Sequence, residues 1–516
     1  MSKKVVIVGA GPGGLSAGML LAYNGYDVHI YEKKDCVGGR NGKIVLGDFK
    51  FDIGPTFLML PKILEDIFSF TGRDINSYLE LIPIDPFYRL RFRGQVDFLP
   101  SFNKDYTVKQ IEKLFPGDEG GYIEFMDREK LKFEKLFGCL KIPYHSFIHF
   151  LRPQFLKAIP KFDLTKTLHS KLSEYFKYED MRIAMTFQSK YLGMSPWTCP
   201  GAFTILSYIE HKMGIFHPIG GLFKISEAMA KVIDEEGGKI HLSKAVKEII
   251  VEKGTAKGLE LMDGEKVMAD YVIINADFAH AMTNIVDKRN RKKYTDKDLE
   301  SRDYSCSTFM LYLGLNKKYH INHHNIIFAN DYKKNVNDIA ELKVLSDDPS
   351  FYIQNASVID PTLAPEGKSA LYVLVPVPNN SSGIDWKKEK ERFRRLVIDK
   401  IKEKTELKDI EEHIEVEKII TPHDWEHEYG VYKGATFNLS HKLSQMLYFR
   451  PHNKFQEFKN CYLVGGGTHP GSGLPTIYES GRISANLIMQ DGALGLGFDY
   501  QDVFEKKTVK DKGIGV

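Results

Sequence analysis

The distribution of apolar residues near the N-terminus predicts two strands and one helix. Lys4–Val8 is a short, continuous and mostly β-branched run, which is typical of a buried parallel strand. Residues 15–24 follow helical spacing and stop at Gly25, a residue type that often ends helices. Residues 27–32 predict a second strand that ends in Glu32. The predicted order is therefore strand, glycine-rich turn, helix, strand and acid.

The turn after the first strand has the residue types that a dinucleotide needs. Gly9 allows a tight turn, Gly11 lets a pyrophosphate approach the backbone, and Gly14 lets the helix pack closely on the strand. The N-terminus of the helix would face the phosphates with roughly half a positive charge. The candidate binding residues of this turn are Gly9, Gly11, Pro12, Gly13 and Gly14.

Glu32 is the candidate ligand for the ribose. It lies 18 residues after Gly14, near the offset of about 20 expected for an acid that binds ribose hydroxyls. An acid at this place disfavours a 2′-phosphate, so the pattern argues against NADP. It leaves NAD and FAD open.

A second pair of glycines separates these two cofactors. Gly38 and Gly39 precede Arg40, and the sequence Asp-Ile-Gly-Pro-Thr follows at 52–56. Adjacent glycines and an arginine let backbone and a cation approach an extended anionic cofactor, which makes Gly39 and Arg40 candidate ligands. This longer pattern resembles the amine-oxidase-like flavoproteins, a resemblance that implies FAD.

Two later segments complete the predicted nucleotide-binding unit. Residues 222–238 follow helical spacing and lead into a series of short strands with turn signals at 253–254 and 263–264. Near the C-terminus, a strand at 462–464 precedes a glycine turn at 465–468 and a helix at 476–490. The N-terminus of that helix would point positive potential at a flavin ring and so stabilise its reduced, anionic form.

The positions of these segments predict a discontinuous domain organisation. The FAD-binding domain would comprise 1–75, 218–290 and 455–500, and a substrate-facing, membrane-associating domain would comprise 76–217 and 291–454. Residues 501–516 are polar and predict a tail without regular structure.

Four stretches outside the first motif are similar to the carotenoid desaturase family, which includes bacterial phytoene desaturases. They lie at 187–222, 347–379, 434–453 and 464–488, and the most specific contains Thr468-His469-Pro470-Gly471. The resemblance extends over nearly the whole chain. It implies an α/β fold with a discontinuous Rossmann-like FAD-binding domain, an inserted α+β substrate domain and a membrane-facing helical region.

The same resemblance implies further cofactor contacts and a substrate class. Val246 would lie on the strand that touches the adenine end of a non-covalent FAD. Many related flavoproteins place an aspartate in the turn near the ribityl chain, where this chain has Gly466, Gly467 and Thr468. The implied reaction is desaturation of phytoene or a related long isoprenoid, with a quinone or O₂ as the possible final electron acceptor.

Other functions on the same fold stay open at this point. A carotenoid cis–trans isomerase, an end-group oxygenase or a saturase would share fold and cofactor. Rab GDP dissociation inhibitors bind prenyl chains on this fold without flavin chemistry, but they need no intact pyrophosphate site. A generic amine oxidase would surround the flavin with an aromatic cage and often hold it through a cysteine, and Cys461 precedes the last strand instead.

Charge and cysteine content restrict the classes of partner and the compartment that the sequence supports. The 516 residues carry a net charge of +3, which is too balanced to indicate nucleic-acid binding. Five dispersed cysteines without a C-x-x-C pair argue for a reducing compartment, and we expect a cytoplasmic protein. Strand pattern begins at residue 4, so we expect no cleavable signal. No spacing of metal ligands is present in the sequence, and we expect no metal.

A long apolar substrate predicts contact with a membrane. Each buried methylene is worth about 0.8 kcal/mol, so passage of a polyene through water would cost on the order of tens of kcal/mol. Residues 135–162 combine aromatic residues with Lys135, Lys141, Arg152, Lys157 and Lys161 and contain no acid. This composition suits the surface of an anionic membrane and predicts peripheral attachment.

The base that removes the substrate proton is the least defined part of the site. His469 lies in the turn predicted near the flavin and is the candidate catalytic residue. Glu479, Glu210 and His211 are read as structural, and adjacent helix residues such as the last two diverge rather than face each other.

Overall fold

The computed structural model describes residues 2–490; the predicted tail at 501–516 lies outside this range. The strands in chain order are β1 (Lys4–Val8), β2 (Asp27–Tyr31), β3 (Lys43–Leu46), β4 (Phe49–Asp52), β5 (Leu81–Pro83), β6 (Arg89–Arg91), β7 (Asp97–Phe98), β8 (Phe216–Pro218), β9 (Lys239–His241), β10 (Val246–Glu252), β11 (Thr255–Leu261), β12 (Lys266–Met268), β13 (Tyr271–Ile274), β14 (Ser307–Leu315), β15 (His324–Ile327), β16 (Phe351–Asn355), β17 (Ser369–Val377), β18 (Ile414–Ile420) and β19 (Cys461–Leu463).

The α-helices connect and cover these strands. In chain order they are α1 (Pro12–Tyr23), α2 (Pro61–Ser69), α3 (Lys104–Leu114), α4 (Glu119–Leu136), α5 (Pro153–Ala158), α6 (Leu168–Leu172), α7 (Glu179–Ala184), α8 (Ile205–Met213), α9 (Phe223–Glu235), α10 (Phe278–Asn284), α11 (Asp296–Ser301), α12 (Tyr332–Asn337), α13 (Trp386–Lys404), α14 (Pro422–His427) and α15 (Leu474–Met489). Within residues 2–490, no helix is both long and apolar enough to cross a bilayer.

The predicted strand–helix–strand unit at the N-terminus is confirmed. Helix α1 begins at Pro12, earlier than the predicted start at residue 15, and Gly11 is its N-cap. Proline suits the first helical position because its missing N–H would have no partner there. Glycine has low helix propensity, and the pattern therefore placed the start of the helix after Gly14.

A five-stranded parallel sheet forms the centre of one half of the molecule. Its strand order is β19-β13-β1-β2-β9, with β1 paired to β13 on one side and to β2 on the other. The strands come from three distant parts of the chain. Because parallel strands end at one edge, the residues that follow β1, β2, β13 and β19 meet there.

A seven-stranded mixed sheet forms the other half of the molecule. Its order is β18-β14-β17-β16-β15-β6-β7, and strands β6 and β15 pair in parallel whereas the other neighbours are antiparallel. Strand β14 is buried along its whole length. A continuous apolar run of this kind is expected for a central strand that is covered on both faces.

Helix α15 packs on α1 beside the five-stranded sheet. A Cβ at Gly481 would lie 2.6 Å from the carbonyl oxygen of Gly13, so the two helix backbones approach closely at this glycine. The hydroxyl of Ser16 donates to the carbonyl of Tyr478 at 3.0 Å in the same contact. This packing brings the turn before α15 to the edge where β1 ends.

Candidate functional site

A single cavity of about 760 Å³ lies between the two sheets. At one end it is lined by Gly9, Gly11 and Glu32, which follow the ends of β1 and β2. At the other end it is lined by side chains from β15, β16 and β17 and from the segment 187–195. A ligand bound at the glycine turn would therefore share one space with a ligand bound against the seven-stranded sheet.

The glycine turn is tightly packed around one asparagine. Asn275, the residue after β13, donates its Nδ2 to the carbonyl of Gly9 at 2.8 Å and to that of Gly11 at 3.2 Å. A Cβ at Gly14 would lie 2.5 Å from the carbonyl oxygen of Gly9 and 2.7 Å from Asn275 Nδ2. Gly9 has a φ of +93°, which glycine adopts without strain. The turn therefore requires glycine at these positions.

Sequence reasoning missed Asn275. Its signal is its place directly after the fully buried strand Tyr271–Ile274, at the carboxyl edge where parallel sheets bind ligands. That signal required the strand to be placed next to β1, which the sequence pattern did not specify.

Glu32 is anchored beside the turn. Its Oε2 accepts from the backbone N–H of Ala10 at 2.8 Å, and its Oε1 accepts from that of Lys34 at 3.0 Å. The carboxylate lines the cavity, and each of its oxygens can accept a further hydrogen bond. This arrangement suits the predicted binding of ribose hydroxyls.

Gly39 and Arg40 line the cavity on the far side of the turn. The Nη1 of Arg40 donates to the carbonyl of Thr436 at 2.8 Å, and its Nη2 lies 3.3 Å from Asn438 Oδ1. Burial lowers the pKa of Arg40, and the nearby Asp277 carboxylate opposes that shift. The guanidinium is thereby held at the site with donors to spare for an anionic ligand.

The other predicted cofactor residues differ in their relation to the cavity. Val246, the first residue of β10, lines it, as do Pro12, Gly466 and Gly467. Thr468 is buried behind the turn, and its carbonyl accepts from Arg450 Nε at 3.2 Å. Gly13 and Gly14 lie in the first turn of α1, behind Gly11 and Pro12, and do not line the cavity.

These features together fit a dinucleotide that carries a flavin. The glycine turn leaves no room for side chains, the helix N-terminus after Gly11 has no side-chain cap, and an acid and an arginine border the same space. An uncapped helix N-terminus is a general binding site for phosphate.

Comparison with known proteins agrees with this geometry. Residues 12–489 match the model of the flavin containing amine oxidoreductase family. The chain is 52% identical over 489 residues to a 4,4′-diapophytoene desaturase (4,4′-diapolycopene-forming) of Methylomonas sp, covering 95% of this chain and 96% of the relative. The chain belongs to the carotenoid desaturases of the amine oxidoreductase family. FAD is its cofactor.

Two further similarities concern the family and the fold of this desaturase. It is 34% identical to a neurosporene-forming phytoene desaturase of Rhodobacter capsulatus, over 94% of each chain. The structure of putrescine oxidase bound to putrescine matches with a TM-score of 0.61 at 14% identity, covering 95% of this chain and 99% of the other. At that identity the match concerns the fold alone.

The end of the desaturase cavity that faces the seven-stranded sheet is mostly aromatic and aliphatic. The aromatic side chains that line it are Phe57, Tyr88, Phe187, Tyr191, Tyr332, Tyr352 and Tyr372. The aliphatic side chains and methionines include Met59, Met194, Met310, Ile326, Val336, Ile339 and Leu374. Such a lining recognises a ligand by shape and apolar area.

Lys190 and Glu210 are ionisable groups at or near the apolar end of the desaturase cavity. Lys190 lines it with its Nζ 5.0 Å from the centroid of the Tyr332 ring, and burial lowers the pKa of this amine to about 8. Glu210 lies just behind the lining, where it accepts from the hydroxyl of Tyr88 at 3.1 Å and from Gln188 Nε2 at 2.8 Å. Burial raises the pKa of Glu210 to about 7.

His469, the predicted catalytic base, does not line the cavity. Its ring is buried and packs edge-on against Tyr144 with the ring centroids 5.2 Å apart. Burial lowers its pKa to about 3. Its role stays a prediction to which this position adds no support. Glu479 pairs with Arg482 inside α15, in keeping with a structural role.

Proposed function

We propose that this desaturase dehydrogenates a linear carotenoid precursor, with 4,4′-diapophytoene as the first substrate to test and phytoene as the second. The observation that carries the proposal is the single cavity, which joins a dinucleotide-binding edge to an apolar, aromatic-lined space. The order of substrates follows the relatives, since the 52% identical one is named for diapophytoene and the 34% identical one for phytoene.

The residues of the chain divide the work of binding between backbone and side chains. Gly9, Gly11 and the start of α1 would hold the pyrophosphate, Glu32 the ribose, and Arg40 an anionic part of the cofactor. Bound FAD supplies the oxidant that takes a hydride from an allylic carbon of the substrate. The aromatic lining would exclude water and hold the polyene in one orientation.

The reaction can be followed through both partners at once. FAD-loaded protein is mixed anaerobically with 4,4′-diapophytoene in liposomes, and flavin bleaching and polyene absorbance are recorded together. We expect both signals to change in the same phase. A change in polyene geometry without flavin bleaching would support the isomerase. If neither the flavin absorbance nor the polyene absorbance changes with either substrate, desaturation is contradicted. Adding O₂ or a quinone afterwards identifies the electron acceptor by the return of flavin absorbance.

We also propose that the segment 135–162 attaches the enzyme peripherally to the cytoplasmic face of a membrane, as part of an inserted substrate domain. Phe147 and Leu151 are 59% and 60% exposed, and Phe449 lies beside Phe147 with ring centroids 6.2 Å apart. Leu156 and Ile159 extend this exposed apolar surface. Exposed apolar groups in such a cluster are rare on soluble surfaces and suit a lipid interface.

The structure changes which residues of this segment would meet the lipid. Tyr144, Phe155 and Arg152 are buried, and Phe150 packs on Phe155 with centroids 4.9 Å apart. Lys135 and Lys157 are exposed and would face anionic headgroups, whereas the side chain of Lys161 lies outside the described part of the structure. Leucines therefore supply more of the proposed contact than the aromatic pattern predicted.

Liposome sedimentation tests this attachment. The double variant Phe147→Ser, Leu151→Ser should sediment several-fold less with vesicles that contain anionic phospholipid, and it should keep its FAD. The matched control is Val45→Ser, Met268→Ser, which removes equally exposed apolar side chains from β3 and β12. Equal sedimentation of the two double variants would contradict the proposed surface.

A further inference from the structure

The proposed desaturation leaves one proton per new double bond inside an apolar cavity. The hydride carries one hydrogen and two electrons to FAD, and the neighbouring carbon releases H⁺ as its C–H bond pair becomes the π bond. An unpaired charge in an apolar space is costly, so a polar path has to receive this proton. The inference below concerns that path and rests on the proposed function.

A row of buried polar side chains begins at the cavity wall. The hydroxyl of Tyr352 donates to Thr56 Oγ1 at 2.8 Å. Nδ1 of His324 is within hydrogen-bond distance of the same phenolic oxygen, so the relay needs the hydroxyl to turn from Thr56 to His324. All three residues line the cavity. The Nε2 of His324 lies 3.0 Å from Nδ1 of His323. These residues are placed by β15 and β16, which are paired neighbours in the seven-stranded sheet.

The row continues away from the cavity to an aspartate. The ring of His323 packs edge-on against that of His217, with centroids 5.1 Å apart. The Nε2 of His217 lies 2.8 Å from Oδ2 of Asp360, and both side chains are fully buried. His323 Nε2 and His217 Nδ1 have no hydrogen-bond partner in the described part of the chain. No hydrogen bond therefore joins His323 to His217, and at this contact each ring has one nitrogen that can still donate or accept.

The protonation states suit conduction. Burial lowers the pKa of His323 and of His324 well below the ordinary value of histidine, so both rings are neutral and each can donate at one nitrogen and accept at the other. Burial opposes ionisation of Asp360, but hydrogen bonds from His217, Thr362 and Gly220 outweigh burial and lower its pKa. Asp360 is therefore a carboxylate, and His323 and His324 are neutral imidazoles.

We propose that Tyr352, His324, His323, His217 and Asp360 form a proton relay that removes the substrate proton from the cavity. The substrate carbon gives H⁺ to the phenolic oxygen of Tyr352, whose own proton moves to Nδ1 of His324. The Nε2 proton of His324 moves to Nδ1 of His323. The His323 and His217 rings are in edge-on contact without a hydrogen bond, so the Nε2 proton of His323 reaches Nδ1 of His217 only when these rings turn toward each other. One C–H bond breaks and one O–H bond forms at the cavity end, and one imidazolium forms at the far end.

The far end of the relay is suited to hold and release the charge. The imidazolium of His217 would be paired with the Asp360 carboxylate, so no unpaired charge stays buried. Asp360 is itself buried, but the chain on either side of it reaches solvent: Ile359 is 38% exposed and Pro361 is exposed. The proton thus reaches a buried ion pair whose neighbours along the chain are exposed to solvent.

Metal binding does not account for this cluster. Within residues 2–490, no three His, Cys, Asp or Glu side chains are grouped so as to hold a metal ion. Lys190 and Glu210 are further ionisable groups near the apolar end, and among the described residues no hydrogen bond joins either of them to the row.

The variant Tyr352→Phe tests the relay because it removes one oxygen and keeps the ring. In anaerobic single turnover we expect flavin reduction to slow about 10- to 100-fold, the range of general acid–base catalysis, with KM and FAD content unchanged. Asp360→Asn should slow it less, by about tenfold. The matched control is Tyr312→Phe, a buried tyrosine whose hydroxyl donates to the carbonyl of Ile53 at 2.6 Å outside the row.

Two readouts separate a relay from a merely structural role. The wild-type rate in mixtures of H₂O and D₂O should depend on deuterium content in a curved manner, because several N–H and O–H protons move, and Tyr352→Phe should abolish that dependence. His324→Gly should be slow and should regain rate with added imidazole at constant FAD content. A Tyr352→Phe variant as fast as wild type, or a His324→Gly variant that imidazole does not restore, would overturn the relay.

The wild-type enzyme separates this inference from the function on which it rests. If the wild-type enzyme converts neither substrate, both the proposed desaturation and the relay are overturned. An active wild type with an equally active Tyr352→Phe variant would overturn the relay alone.

Discussion

The two ends of the cavity are built by different means. The end proposed to hold the nucleotide is lined by short contiguous segments that include the turns at 9–12, 39–40 and 465–467. At the apolar end, side chains do the work, and they come from many segments between residues 57 and 437 that share no motif. The shape of the first end therefore depends on local turns of the backbone, and the shape of the second depends on long-range packing of side chains.

This difference determines how each end should respond to substitution. A backbone site fails when a Cβ is added, whatever the chemistry of the new side chain. A side-chain lining adapts, because an apolar wall can change shape while remaining apolar. Substitutions at the two ends should thus differ in both size and kind of effect.

The largest effect is expected from Gly14→Ala at the nucleotide end. The new Cβ would lie 2.5 Å from the carbonyl of Gly9, which cannot move without opening the turn. We expect the FAD content of the purified protein, measured by flavin absorbance per chain, to fall more than tenfold. Gly120→Ala is the matched control, since nothing lies within 4 Å of its Cβ position in α4. Retention of FAD by Gly14→Ala would contradict the expectation that the nucleotide end does not tolerate an added Cβ.

Asn275→Ala should have the next largest effect. The variant removes two hydrogen bonds to the turn, each worth about 1 kcal/mol, so the Kd of FAD should rise roughly 10- to 30-fold. Titration of the FAD-free protein with FAD measures it. The exposed Asn76→Ala, whose side chain bonds Asp74, is the control. An unchanged Kd would mean that glycine packing alone shapes the turn.

The same contrast explains how far the sequence could be read. The glycine turn, Glu32 and Arg40 were predicted because each lies at a fixed offset from a strand or helix. Glu32, Arg40 and the first part of the turn line one cavity, whereas Gly13 and Gly14 lie behind it. Val246 and Gly467 also line it, but their position came from family resemblance. Thr468 and His469 belong to a motif whose sequence says nothing of which side chains face inwards, and both are buried away from the cavity.

The apolar end could not be read in this way. Tyr352, His324 and Lys190 reach the cavity only because strands β15 and β16 pair and because the segment 187–195 packs across them. Each looks like an ordinary core residue in the sequence, and the pairing of non-consecutive strands is a long-range property. The exposed leucines of 151–159 were likewise invisible to a pattern that weighed aromatic residues.

A change in the shape of the apolar end should alter products rather than cofactor binding. Ile339 lines the cavity from the turn after α12, and Ile339→Phe would shorten the space open to a polyene. We expect fewer double bonds per product and a several-fold rise in KM, with FAD content unchanged. Ile339→Ala is the opposite variant and should favour longer chromophores. Chromatography with absorbance spectra measures both, and identical products from the two variants would show that Ile339 does not limit the chain.

The smallest effect on the cofactor and the products is expected from Glu210→Gln, which tests how strongly the apolar end resists charge. Burial raises the pKa of Glu210 from 4.5 to about 7 in the folded protein, so the folded state binds more protons than the unfolded state between those values. The stability that protonation provides is therefore present below pH 4.5 and is lost as pH rises to about 7, by on the order of 3 kcal/mol. Glutamine has the shape of the protonated carboxyl group and does not ionise. The melting temperature of the variant should therefore be a few degrees higher than that of wild type at pH 8 and equal to it at pH 4.5. If variant and wild type have the same melting temperature at pH 8 as well as at pH 4.5, the carboxylate of Glu210 is tolerated. The apolar end would then be more polar than its lining indicates.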